Sequence, residues 1–78
     1  MPFYTIDQIK VIIHEAPMKR VLMAIMYLAE ASEKEASKIC QALTQTLARY
    51  KNEDCWKDII CYSPIAVDVC EALEQGLV

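Results

Sequence analysis

Hydrophobic positions along this chain recur at steps of three and four almost from its start. Ile6, Ile9, Ile12, Ile13 and Ala16 keep that spacing, with Lys10 on the opposite side, which predicts a helix from about 6 to 15. Thr5 and Gln8, three residues apart, form a capping box ahead of it. Tyr4 is placed to staple onto Ile9, and Asp7 suits the positive end of the helix dipole. Pro17 turns Ala16 away from helix and opens a second one.

That second helix carries the run VLMAIMYLA, Val21 to Ala29, whose only polar side-chain atom is the Tyr27 hydroxyl. Its charges, Lys19, Arg20 and Glu30, sit at the ends. A helix apolar all round must be covered on most sides, so residues from about 18 to 31 are the expected centre of a bundle. Two continuations compete. Ser32 with Glu35 makes another capping box, which predicts a new helix start and a tight hairpin. Yet Met18, Leu22, Ile25, Ala29, Ser32, Ala36, Cys40, Leu43, Leu47 and Tyr50 form an unbroken stripe, and the intervening Ala, Glu and Lys all favour helix. One continuous helix over 18–51 would satisfy that stripe. It would be about 50 Å long and could not bury its apolar run within one chain, so the hairpin is preferred.

The segment 33–51 reads as amphipathic, with Ala36, Ile39, Cys40, Leu43, Leu47 and Tyr50 inside and Lys34, Lys38, Gln41, Gln45, Arg49 and Lys51 outside. Asn52 suits its C-terminus. CWKDIICY, from Cys55 to Tyr62, predicts a short helix with Trp56, Ile59 and Ile60 on its apolar face. A last helix starts with Ser63 as cap and Pro64 in the first turn, and turns Ala66, Val69, Cys70 and Leu73 inward. Gly76 then stops it in a left-handed conformation, with Leu77 folding back.

Composition narrows the class. The 78 residues make one domain, 1–78, and 55% of them are hydrophobic, which excludes disorder. One glycine and three prolines leave few of the residues that hairpin turns need. The expectation is an all-α bundle of four to five helices.

The net charge of −3 argues against nucleic acid, because neutralising phosphates requires a basic face. The charge is uneven: residues 1–52 carry +2 and residues 53–78 carry −5. Such a distribution either solvates an acidic face or helps to steer a partner, including a second copy. The N-terminal residues lack the basic and apolar regions of a secretory signal, and no apolar run approaches the roughly 20 residues of a membrane span. A cytoplasmic protein is expected.

Few residues suggest chemistry. Cys40, Cys55, Cys61 and Cys70 fall on apolar stripes and read as reduced core thiols. A disulfide from Cys55 or Cys61 to Cys70 is a weaker alternative, and Cys55 at a helix start is the best candidate for a reactive thiol. Their spacings match no zinc motif, and the single histidine, His14, reads as a helix-end residue. The carboxylates have no apolar surround to raise one of them for acid catalysis, and no glycine-rich loop is present to hold phosphate. No catalytic, metal-binding or cofactor-binding residue is assigned, and no enzyme is expected.

The expected function is therefore a non-enzymatic protein–protein interaction module: a homodimer, or a small adaptor or inhibitor that docks on a larger protein. Its interface is assigned to Met18, Leu22, Met23, Ile25, Met26 and Tyr27, because Met and Tyr are enriched in interface cores. The alternative is a DNA-binding regulator of helix-turn-helix type, reading bases through Lys34, Lys38, Gln41, Gln45 and Arg49. Glu33 and Glu35 at the leading end of that helix count against it.

Overall fold

A computed structural model describes residues 4–49 and 65–78. These form four helices and no strand: α1 (Ile6–Glu15), α2 (Met18–Ala29), α3 (Glu33–Arg49) and α4 (Ile65–Gln75). The fold is all-helical, as expected. The segment CWKDIICY, the Ser63–Pro64 start of the last helix and the inward position of Tyr50 lie outside the described residues.

The first helix begins where local chemistry says it should. The Thr5 hydroxyl accepts from the Gln8 backbone N–H at 3.1 Å, and the Gln8 side-chain oxygen accepts from the Thr5 N–H at 2.8 Å. It ends because the residue before a proline is driven out of the helical region: Ala16 is extended, with φ −68° and ψ 140°. Pro17 then caps α2, its carbonyl accepting from the N–H groups of Arg20 and Val21. Proline can stand there because the first turn leaves backbone N–H groups unused in any case.

The helix over 18–31 is shorter than the sequence suggests, and it is not continuous with the next one. α2 stops at Ala29, and Glu30 takes the left-handed conformation with φ 50°. The N–H groups of Glu30 and Ala31 both return to the Met26 carbonyl. Ser32 restarts the chain as α3: its hydroxyl accepts from the Glu35 N–H at 3.2 Å. The single rod over 18–51 is excluded, because a left-handed residue reverses the path and lets α3 fold back on α2.

Helix α2 packs against both α3 and α4, and α4 packs in turn against α1. The core draws on every helix: Ile6, Ile9 and Ile13 from α1, Val21, Ala24 and Ile25 from α2, Ala36, Cys40, Leu43 and Leu47 from α3, and Ala66, Val69, Cys70, Ala72 and Leu73 from α4. The small residues among them let helix axes approach closely. Two further ties close the C-terminal end. Gly76, with φ 69°, and Leu77 send their N–H groups back to the Leu73 and Ala72 carbonyls, a Schellman closure. The Arg20 guanidinium donates to the main-chain oxygens of Leu73 and Val78, each at 3.2 Å. A cation there offsets the negative end of the α4 dipole.

Candidate functional site

Helix α2 buries one side and leaves the other open. Val21, Ala24 and Ile25 are fully buried, at one-residue and three-residue steps that centre on a single face. Met23 is 45% exposed, Tyr27 60% and Met18 59%, while Leu22 and Met26 are half-buried at the margins. Lys19 and Glu30 are exposed at the two ends of this outer face. Leu28, in register with Val21 and Ala24 but in the last turn of the helix, also remains partly open.

Four of the six residues assigned to the interface from sequence, Leu22, Met23, Met26 and Tyr27, line or border one surface, while Met18, exposed at the start of the helix, is in register with Val21 and Ile25 and meets Cys40 of α3. Ile25 does not line that surface. It is wholly covered by its own chain, and its place is in the core with Val21 and Ala24. An apolar run on every side of a helix conceals which side the neighbours will take. Here α3 and α4 take the side of Ile25. Lys19 and Glu30, the charges at the two ends of the helix, are both exposed.

Two clefts adjoin this face. One, of about 330 Å³, lies between α2 and α3 and is lined by Met18, Leu22, Ser37, Cys40, Gln41 and Thr44. The other, of about 420 Å³, runs between α1 and α3 beside Val11, His14, Met18 and Leu47. Both are open and mostly apolar. Of their polar groups, the Thr44 hydroxyl lies 3.0 Å from the carbonyl oxygens of both Cys40 and Gln41, and the Cys40 thiol donates to the Met18 sulfur at 3.4 Å.

The chemistry of the two described thiols is passive. Burial pushes the Cys40 thiol up, and burial followed by the Glu74 carboxylate pushes Cys70 up to about 12. Both are free and buried, and a thiol held protonated is a poor nucleophile. Burial, then Glu74, likewise raises the Tyr4 phenol. His14 sits exposed in the last turn of α1, as its sequence position implies. Among the described residues, no group of three or more His, Cys, Asp or Glu side chains is arranged to hold a metal ion. No described helix is long and apolar enough to cross a membrane.

The described residues thus form an all-helical fold whose α2 helix carries an open, largely apolar outer face. Comparison with protein-family models, curated proteins and solved structures finds no match to the chain.

Proposed function

We propose that this protein is a non-enzymatic protein–protein interaction module that binds through the outer face of α2. The observation that carries the proposal is the exposure of Met23 and Tyr27 on a helix whose opposite side buries Val21, Ala24 and Ile25. Met adapts to irregular surfaces and Tyr supplies a large amphipathic contact area, and interface centres are enriched in both. The buried free thiols Cys40 and Cys70 accord with a reducing, cytoplasmic setting.

The test is site-specific photo-crosslinking in the native host. A benzophenone side chain at position 23 or 27 is expected to give covalent protein adducts. The same group at Gln45, exposed on α3, serves as control. Adducts at neither position 23 nor 27 would sink the proposal. Retention on heparin that disappears at moderate salt would instead favour the DNA-binding alternative on α3.

A further inference from the structure

We infer that the partner of the α2 face is a second copy of this chain, and that the two copies pair antiparallel about a two-fold axis lying between Ala24 and Ile25 in register. The inference rests on the interaction function proposed above and names its occupant. Lys19, Met23, Met26 and Glu30 stand at successive steps of four, three and four. On α2 that spacing sets Lys19, Met23 and Met26 in one nearly straight line, the seam pattern of a coiled coil, and Glu30 follows one residue past the helix end. In the structure the stripe faces outward: Lys19, Met23 and Glu30 are exposed and Met26 is half-buried.

The order of residues along the stripe is self-complementary. It runs basic, apolar, apolar, acidic. Laid against itself in reverse, it sets Met23 of each copy against Met26 of the other and Lys19 of each against Glu30 of the other. Two-fold symmetry makes each pairing occur twice, as an isologous interface requires. A parallel pair would set lysine against lysine and glutamate against glutamate. The charges therefore select orientation as well as partner, the role that flanking charges play along helical seams.

Size sets the strength. A helix of 12 residues is about 18 Å long. Two such helices, side by side, form an interface at the low end of the specific range, under about 1,200 Å² in total. An interface that small places the dimer among weak, concentration-dependent associations.

Sedimentation equilibrium on the full-length chain tests this, with circular dichroism confirming that each variant keeps its helicity. Wild type is expected to dimerise reversibly. Lys19→Glu alone and Glu30→Lys alone each turn two attractions into two repulsions and are expected to weaken the dimer about tenfold. Lys19→Glu with Glu30→Lys in one chain restores it, and so does mixing the two single variants, because each then meets its opposite. Single swaps without effect, or stronger self-association in them, would overturn the antiparallel register. A wild type that stays monomeric at high concentration would overturn the second copy as partner. Photo-adducts from positions 23 and 27 in the host, to a different protein, would then leave the interaction function standing without it.

Discussion

At the scale of single residues, Cys70 has the most definite consequence. Its side chain is fully buried, and its thiol is pushed up from 9.0 to about 12, first by burial and then by Glu74. In the unfolded chain the proton leaves near pH 9; in the folded protein it stays. Stability from this group is therefore full below pH 9 and is lost as pH rises from about 9 to about 12. Urea midpoints should hold steady below that window and fall within it. Cys70→Ala should make the fall shallower, while the raised Cys40 thiol and Tyr4 phenol continue to contribute to it. The native protein should leave Cys70 unmodified by iodoacetamide at pH 8. Cys40 is protected in a different way, by burial and by Met18, whose sulfur lies 3.4 Å away. That contact spans 22 positions of sequence and could not be seen in a periodicity.

At the scale of elements, the informative residue is Glu30. A side-chain-bearing residue in the left-handed region pays a steric cost of about 1–2 kcal/mol, which glycine escapes. Glu30→Gly is expected to stabilise the monomer by about 0.5–1 kcal/mol, read as a raised urea midpoint. The same change removes the carboxylate opposite Lys19 and should weaken self-association, so stability and dimer affinity move in opposite directions. Glu30 also explains why the sequence left the hairpin and the rod open. Ala29, Glu30 and Ala31 are helix formers, and only the Ser32–Glu35 signal spoke for a restart. Packing of α3 against α2 overrides local propensity at one residue. The Thr5–Gln8 box and the Gly76 stop were legible because everything that makes them lies within a few positions. The inner face of α2 was not legible, because an apolar run all round a helix has no phase of its own.

At the scale of the whole molecule, the margin is narrow. A domain of this length buries a modest share of its surface, and small domains are stable by roughly 5–15 kcal/mol in total. Ile25, fully buried among core residues of all four described helices, should cost about 2–5 kcal/mol when cut to alanine. Leu22, half-buried at the edge of the α2 face, should cost clearly less. Chemical denaturation of the two variants, followed by circular dichroism, checks the difference. Equal losses would mean that the outer margin of α2 is as enclosed as its inner face.

The guanidinium of Arg20 reaches across 53 and 58 positions to oxygens near the end of the chain, and α4 itself supplies five core residues that sit against α1 and α2. During translation these partners follow α1, α2 and α3. Until α4 has left the ribosome, the inner faces of α1 and α2 lack the residues they pack against. Nascent chains in that interval are the form most exposed to chaperones.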